Sequence, residues 1–402
     1  MLILVLDFRI HSVEYELVRM PEKEDICSGK IEKIGLETAL IIHKPKNKPE
    51  EKLVRPVFDH TGAMEAILSV LTDKEYGVIK SYDEIDAIGH RVVHGGEKFN
   101  KSVIIDEEVK KEIYKNFELA PLHNPYNFKG IETVEKYFPG KPQIAVFDTS
   151  FHSTLPEVAY RYPIPENLYE NYRIRKYGFH GISHRYVCEK TSSFLKQPIN
   201  KTNIISIHLG QGSSLCAIKN GVSIDTSMGF TPLEGVMMTT RTGDISPGVL
   251  FFLQKSGWSL NNLESCINKS SGILGVSGVS DETLEVVEEM KKGNKRAKLA
   301  IDMFVYSVKK YLGAYYLLLG KSLQAISFTG GIGVNSDIIR KMICDGLEFL
   351  GIELDDKKNS KIVGNKEGEI SKSSSKIKIF VIPRNEKLII AKDVMDLLKN
   401  KL

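Results

Sequence analysis

The chain has 402 residues, a formal net charge of +4 and a hydrophobic content of 42%. The charges are spread along the sequence without a basic stripe interleaved with aromatics, which argues against nucleic-acid binding. No stretch reaches the roughly 20 apolar residues that a membrane span requires. Five widely spaced cysteines indicate reduced thiols. We therefore expect a cytoplasmic globular protein, and the length favours two domains.

The first part of the chain predicts β-strands that end at polar residues. Residues 2–6 and 13–18 are short runs joined by a polar turn, which predicts a β-hairpin rather than a signal peptide. Residues 85–90 and 143–147 predict two buried strands, followed by Arg91 and Asp148. Open α/β sheets build their sites from polar side chains at strand ends. The positions of Arg91 and Asp148 therefore indicate a functional site at the ends of these two strands.

The hairpin plan recurs at residues 204–209 and 215–218, which indicates a duplicated fold. The glycine-rich turn GQGSS at 210–214 joins these two runs. Glycine lets the backbone approach an anion closely and present several N–H groups to it. Further along, Arg241 and Asp244 lie in a loop rich in threonine. Together these features predict a phosphoryl-transfer site.

The last third of the chain contains a second glycine-rich turn, TGGIG at 329–333. Glycines before a helix favour a bound phosphate, although such a turn is also common as a purely structural element. The elements predicted around it are a long helix at 296–319, a strand at 325–328, a helix at 336–350, a mobile surface loop at 357–376, a strand at 378–382 and a closing helix at 385–399.

Five motifs in one order link this sequence to a known family. They are GHRVVHGG at 89–96, FDT at 147–149, YGFHG at 177–181, DTSMGFTPLEG at 225–235 and NE at 385–386. With them the chain resembles the acetate kinase family of the actin and hexokinase superfamily, over essentially its whole length. The resemblance implies an α/β fold of two actin-like, ribonuclease H-like domains with ATP in the cleft between them. The implied domains are residues 1–150, completed by 384–402, and residues 151–383.

The resemblance also implies an activity, the reversible transfer of the γ-phosphoryl group of ATP to acetate, giving acetyl phosphate and ADP. Arg91 would hold the acetate carboxylate, and Arg241 and His180 would stabilise the moving phosphoryl group. Asp148 corresponds to the family's catalytic acid. The implied nucleotide-binding residues are His208, Leu209, Gly210, Gln211, Gly212, Asp281, Gly331, Ile332, Gly333, Val334 and Asn335. Mg²⁺, or Mn²⁺ in its place, would bind at Asp7 and Glu386, and the implied assembly is a homodimer.

Structural roles are an alternative for several of these residues. An arginine at a strand end is often a surface ion pair, His180 could be a satisfied core histidine, and Glu386 could be an acid favoured at a helix start. Acetate is already ionised at neutral pH, since its pKa is close to the value of about 4.3 for glutamate. We therefore interpret Asp148 as an organiser of Mg²⁺, water or an arginine.

The first hairpin departs from the family pattern Asn-Ala-Gly-Ser-Ser-Ser-x-Lys, because residues 7–14 read DFRIHSVE. Asp7 retains an oxygen ligand suited to Mg²⁺. Glu14 replaces a lysine beside the expected polyphosphate, which is repulsive unless Arg9, His11 or Mg²⁺ compensates. Around the nucleotide, Gln211 replaces an asparagine and Val334 replaces a glutamate. Residues 280–283 are about one residue short and lack an arginine of the family.

Two functions remain open at this point. The first is an active kinase that forms an acyl phosphate, with acetate as the default acceptor and propionate or butyrate as alternatives. The second is a non-catalytic or weakly active paralogue that binds nucleotide or acetyl phosphate. The retained site residues favour the first function, whereas Ile10 and Glu14 favour the second. We favour catalysis.

Overall fold

The computed structural model describes residues 1–399, and its internal contacts divide the chain into two compact units. Unit 1 comprises Met1–Phe151 and the segment that begins at Asn385, and unit 2 comprises His152–Arg384. Each unit contains one sheet with helices packed on it. The predicted mixed α/β class is confirmed. None of the described helices is both long enough and apolar enough to cross a membrane.

The elements are numbered in chain order. The strands are β1 (Leu2–Arg9), β2 (Ser12–Arg19), β3 (Glu24–Glu32), β4 (Leu36–Pro45), β5 (Glu51–Val57), β6 (Ala87–Val92), β7 (Val103–Ile104), β8 (Gln143–Phe147), β9 (Ile204–Leu209), β10 (Ser213–Lys219), β11 (Val222–Thr226), β12 (Ala325–Thr329), β13 (Gly368–Glu369) and β14 (Lys378–Val381). The α-helices are α1 (His60–Leu71), α2 (Glu107–Lys115), α3 (Asn124–Tyr137), α4 (Glu157–Tyr160), α5 (Glu166–Tyr172), α6 (Gly181–Phe194), α7 (Pro247–Lys255), α8 (Leu260–Lys269), α9 (Gly272–Ser277), α10 (Thr283–Lys291), α11 (Lys295–Leu319), α12 (Gly330–Asn335), α13 (Asp337–Cys344), α14 (Asp356–Lys361) and α15 (Glu386–Lys399).

The sheet of unit 1 has the strand order β5-β4-β3-β2-β1-β6-β8-β7. Strands β1, β6 and β8 are parallel, and β2 to β5 continue from β1 as an antiparallel meander. Side chains alternate between the two faces of a strand. Leu4, Leu6 and Phe8 of β1 belong to an apolar core with α1 and α3, and α15 packs on β1 and β6 from the other face, where Gly89 meets Ile390.

The sheet of unit 2 has the order β11-β10-β9-β12-β14-β13. Its first five strands repeat the order β3-β2-β1-β6-β8 of unit 1. On one side of β9, the strands β10 and β11 follow as antiparallel neighbours, and on its other side β12 and β14 run parallel to β9. This repeat confirms the duplication predicted from the two hairpins. Alternate residues of β9, such as Ile205 and Ile207, belong to an apolar core with α11, whereas Ser206 and His208 bond to α6.

Two predictions about the last third were wrong. The segment 329–335 contains the short helix α12, and the helix that follows it ends at Cys344 rather than at residue 350. Residues 357–376 are not a mobile loop, because they include part of α14 and all of β13, and Ile370 and Ser371 are buried. The composition of this segment is polar, but the buried side chain of Arg340 in α13 donates to Asn359 and to the carbonyl oxygen of Ile362 within it.

Candidate active site

Three charged side chains of unit 1 meet at the carboxyl ends of β1, β6 and β8. Because Val5 of β1 is paired with Gly89 of β6, Asp7 and Arg91 lie next to each other on one face of the sheet. Arg91 Nη1 donates to Asp7 Oδ1 at 3.1 Å and to Oδ2 at 3.2 Å. Arg91 Nη2 donates to Asp148 Oδ2. We call Asp7, Arg91 and Asp148 the Arg91 cluster.

The two carboxyl groups of the Arg91 cluster differ in their electrostatics. Burial raises the pKa of Asp7, but the charges of Arg91 and Arg9 outweigh this effect and hold the pKa below its ordinary value. Burial also raises the pKa of Asp148, and here Arg91 offsets the effect only in part. The difference arises because Asp7 has two guanidinium partners, whereas Asp148 shares one of them.

Arg9 compensates for the unusual carboxylate of Glu14. Its Nε and Nη2 donate to Asp7 Oδ2 at 2.9 and 2.7 Å, and its Nη1 lies 3.2 Å from Glu14 Oε1. On its other side, Glu14 Oε2 lies 3.8 Å from Lys387 Nζ of α15. Glu14 therefore lies between two cations, and the repulsion expected from the sequence is relieved by residues of the chain itself.

The residues predicted to bind Mg²⁺ do not form a metal site by themselves. Both oxygens of Asp7 accept hydrogen bonds from arginine, and Glu386 is at the start of α15. Within residues 1–399, no group of three or more His, Cys, Asp or Glu side chains is placed to hold a metal ion. The assignment of Mg²⁺ to Asp7 and Glu386 stays a prediction.

In unit 2, the turn between β9 and β10 lies against a histidine and an arginine. A Cβ added to Gly212 would lie 3.3 Å from His180 Cε1 and 3.4 Å from Arg241 Nη1. Such contacts are tighter than side chains usually make, so glycine at this position lets the two side chains approach the turn backbone. His180 itself precedes α6 in the left-handed conformation, with φ of 58°.

The same turn also approaches the second glycine-rich segment. A Cβ added to Gly210 would lie 3.6 Å from His208 Nε2 and 3.8 Å from the backbone nitrogen of Gly331. The rings of His180 and His208 stack with their centroids 4.2 Å apart. The structure thus brings Gly210, Gly212, His180, His208, Arg241 and Gly331 together, and we call them the glycine-turn cluster.

Arg241 differs from Arg91 because its charge has no carboxylate partner within 4.0 Å in the described part of the chain. Its Nη1 donates to the carbonyl oxygen of Pro232 at 3.1 Å. Burial lowers the pKa of Arg241, and no anion offsets this effect. A half-buried guanidinium with neutral partners is well suited to receive an anionic ligand.

A buried chain of serines and histidines leads to His180 from inside unit 2. Ser214 Oγ lies 2.9 Å from His180 Nδ1 and 2.8 Å from His184 Nε2, and His184 Nδ1 lies 2.8 Å from Ser206 Oγ. Burial, followed by the charges of other histidines, holds the pKa of His184 well below its ordinary value. A neutral imidazole has one donor and one acceptor, and a hydroxyl has one proton. Through Ser214, the tautomer of His180 is therefore coupled to that of His184.

The other predicted nucleotide-binding residues have varied positions. Leu209 is buried at the end of β9, Gln211 accepts a bond from Thr239 through its carbonyl, and Asp281 is exposed in the turn before α10. Asp281 belongs to neither cluster. The remaining ones, Ile332, Gly333, Val334 and Asn335, form α12 together with the two glycines before them.

Sequence reasoning missed the serines that support the histidines. Ser214 bonds His180 and His184, and Ser183 Oγ lies 2.9 Å from His208 Nδ1. The signal that could have found them is a polar stripe of period two in otherwise apolar strands: Ser206 and His208 in β9 lie opposite Cys216 and Ser214 in β10.

Comparison with known proteins identifies the family. The sequence profile described as the Acetokinase family matches residues 2–392. The chain belongs to the acetokinase family. It is 48% identical over 400 residues to the acetate kinase of Caldicellulosiruptor saccharolyticus, which covers 99% of this chain and 100% of that protein. It is also 48% identical over 402 residues to the acetate kinase of Carboxydothermus hydrogenoformans, with 100% of both proteins covered.

Solved structures of the family agree with the fold. The crystal structure of Porphyromonas gingivalis acetate kinase is 46% identical, with a TM-score of 0.93 and 99% of each chain covered. A propionate kinase from Francisella tularensis subsp. tularensis SCHU S4 is 40% identical, with a TM-score of 0.90 and 98% of each chain covered. The family predicted from the sequence motifs is confirmed.

Proposed function

We propose that this chain catalyses the reversible transfer of the γ-phosphoryl group of ATP to acetate, giving acetyl phosphate and ADP. The observation that carries this proposal is identity of 48% to acetate kinases over the whole chain. The candidate site supports it, because arginines and glycine-rich turns suit a carboxylate and a polyphosphate. Mg²⁺ enters as the Mg·ATP complex, since this ion is usually held by substrate phosphates and few protein carboxylates.

Arg91 binds the acetate carboxylate in this proposal. A guanidinium has five N–H donors, and Asp7 and Asp148 occupy only some of them. The two carboxylates orient the guanidinium plane, and the remaining donors are available to acetate. Asp148 acts here as an orienting group rather than as a base, because acetate has no proton to lose at neutral pH.

The glycine-turn cluster binds the phosphates and stabilises the transferring group. An acetate oxygen attacks the γ-phosphorus, a new P–O bond forms, and the bond to the oxygen bridging the β- and γ-phosphorus breaks as ADP leaves. Such a transfer asks the protein mainly for positioning and for stabilisation of charge. Arg241 supplies a positive charge that has no carboxylate partner among the described residues, and His180 donates from Nε2 when Ser214 donates to its Nδ1.

The test is formation of acetyl hydroxamate that depends on acetate and Mg·ATP. Arg91→Ala and Arg241→Ala should each lower kcat/KM by about 10²–10³, the usual cost of removing one such charged donor. Arg91→Ala should act mainly through the KM for acetate, and Arg241→Ala mainly through kcat. Arg19→Ala is the matched control, because Arg19 is 52% exposed and pairs only loosely with Glu24 at 3.5 Å.

Absence of turnover in the parent protein would contradict the proposal and favour a non-catalytic paralogue. Propionate and butyrate should be measured beside acetate, because a propionate kinase is among the similar structures. If kcat/KM is higher for one of these acids than for acetate, that acid becomes the proposed acceptor and the reaction type stays the same.

We further propose a homodimer in the cytoplasm. Helix α7 has no buried residue, although it carries Val249, Phe251 and Phe252 with 41%, 61% and 68% of their surface exposed. Exposed apolar surface of this kind is typical of an interface, and a second copy of the chain is the proposed partner. The five cysteines are free thiols, which suits a reducing compartment.

A further inference from the structure

The first hairpin carries two charged residues, Arg9 and Glu14, that the proposed function has not used. They belong to a row in which cations and anions alternate, in the order Lys387, Glu14, Arg9, Asp7, Arg91 and Asp148. We propose that Arg9 is a positioning residue for Arg91, and that Glu14 holds Arg9 in place for this task. The inference rests on the proposed function, in which Arg91 binds acetate.

The link between the two arginines is the carboxylate of Asp7. Oδ2 of Asp7 accepts from Nε and Nη2 of Arg9 at 2.9 and 2.7 Å and from Nη1 of Arg91 at 3.2 Å. The Asp7 side chain is only 7% exposed, so solvent screens these contacts little. Since two like charges share one carboxylate, the position of Arg9 limits the positions that the Arg91 guanidinium can take.

Glu14 has a defined role in this arrangement. The register of β1 and β2 pairs Asp7 directly with Glu14, and like charges at directly opposite positions destabilise a strand pair. Arg9 bridges the two carboxylates and removes this repulsion. Without Glu14, Asp7 would be the only anionic partner of Arg9 within residues 1–399, and Arg9 would compete more strongly with Arg91 for it.

The backbone around Arg9 is also fixed. The carbonyl oxygen of Arg9 accepts a bond from His60 Nε2 at 2.8 Å, and that of Phe8 accepts from Asn127 Nδ2 at 2.7 Å. Phe8 is buried, and a Cβ added to Gly130 of α3 would come within 2.3 Å of its ring. Arg9 thus extends from a rigid base while its side chain is 38% exposed. A rigid base of this kind is what a positioning residue requires.

In this arrangement Glu14 has a function, which is to hold Arg9, and is not a harmful replacement of the family's lysine. If Glu14 were only a lost lysine, Glu14→Lys would improve the enzyme. In this structure, the new ammonium group would instead lie between Arg9 and Lys387, both of which now contact the glutamate. The single change should therefore displace Arg9, and removal of the Arg9 side chain in the same protein should relieve the crowding of cations.

The experiment is steady-state kinetics with acetate and Mg·ATP varied separately, for Arg9→Gln, Arg9→Lys, Glu14→Lys and the double variant Arg9→Gly/Glu14→Lys. Arg9→Gln should raise the KM for acetate about tenfold or more and change the KM for ATP less than about twofold, because misplaced substrate-binding groups are costly. Arg9→Lys should restore part of the loss. Glu14→Lys should lower kcat/KM for acetate, and the double variant, in which the crowding is relieved but Arg9 is also missing, should recover only to the level of Arg9→Gln.

The matched control is Arg19→Gln, which removes an exposed arginine of the same hairpin at its opposite end and should leave both KM values unchanged. An unchanged KM for acetate in folded Arg9→Gln, or a gain of activity in Glu14→Lys, would overturn the inference while the proposed function stands. If the parent shows no turnover, the proposed function fails, and acetate binding to the same variants, followed by NMR, measures the inference directly.

Discussion

Arg91 and Arg241 show how the same side chain acquires different properties from its surroundings. Arg91 lies between Asp7 and Asp148, so most of its charge is balanced and its direction is fixed. Arg241 bonds a carbonyl oxygen, and burial lowers its pKa without an anion nearby in the described residues. The first arrangement suits orientation of a small monoanion. The second suits charge that grows during a reaction.

At the residue scale we predict that Ser214→Ala lowers kcat. The change removes the hydroxyl that bonds both His180 and His184. A buried group left without its partner costs about 1–3 kcal/mol, and a loss of this size in the transition state lowers the rate roughly 5- to 150-fold. The measurements are kcat and the ¹⁵N shifts of the His180 ring, which report its tautomer. Ser327→Ala is the control, because this buried serine bonds Thr191 and no histidine is among its bonds in the structure. Equal kcat values for both variants would contradict the role of Ser214.

At the element scale, one buried arginine joins the helix after the second glycine-rich turn to the polar segment beyond it. Arg340 Nη1 donates to the carbonyl oxygens of Gly333 and Val334 in α12, both at 2.8 Å. Its other nitrogens donate to Asn359 Oδ1 at 2.8 Å and to the carbonyl oxygen of Ile362 at 2.7 Å. Burial lowers the pKa of Arg340 to about 10, so it stays charged at neutral pH.

We predict that Arg340→Met destabilises unit 2 by about 3 kcal/mol or more, because several buried acceptors lose their donor at once. The KM for ATP should rise as well, since α12 begins with the glycines proposed to bind nucleotide. Urea unfolding and kinetics measure the two effects. Lys341→Met is the control, because Lys341 is 54% exposed and pairs with Asp356 at the surface. If the two variants unfold at the same urea concentration, Arg340 does not hold these elements.

At the scale of the whole molecule, the two units share a strand plan but use it differently. In unit 1 the strand ends carry opposite charges that bind one another, as in the Arg91 cluster. In unit 2 the strand ends carry glycines, and the charge comes from Arg241 in a loop. In the proposed function, the duplicated framework provides one site for a carboxylate and another for phosphates. Unit 2 also carries the exposed apolar helix α7.

We predict that the protein sediments with twice the mass of its 45.2 kDa chain. Phe252→Lys should shift it to the monomer, because a charge would enter the apolar surface of α7, where Phe252 is 68% exposed. Val158→Lys is the control, since Val158 of α4 is 92% exposed and lies on a different element. Sedimentation velocity distinguishes the outcomes. A parent that is monomeric at micromolar concentration would rule out the proposed homodimer.

The sequence by itself determined the elements whose signals are local. The hairpins, the buried strands and the helix α11 follow from apolar periodicity, and Asn294 accepts bonds from the first turn of that helix as a capping residue should. The order of five motifs was enough to identify the family. These features need no knowledge of distant contacts, because neighbouring residues produce them.

Only the tertiary structure decided which charges and polar groups meet. Lys387, near the end of the sequence, lies close to Glu14, near its start. Arg340 bonds to a segment whose polar composition had predicted a mobile loop. Ser214 bonds to His180, which precedes α6, and to His184 within α6. Composition reports the residues of a segment but not their partners. Since the energy of a charge or a buried hydroxyl depends on its partners, the roles of these residues could not be obtained without the fold.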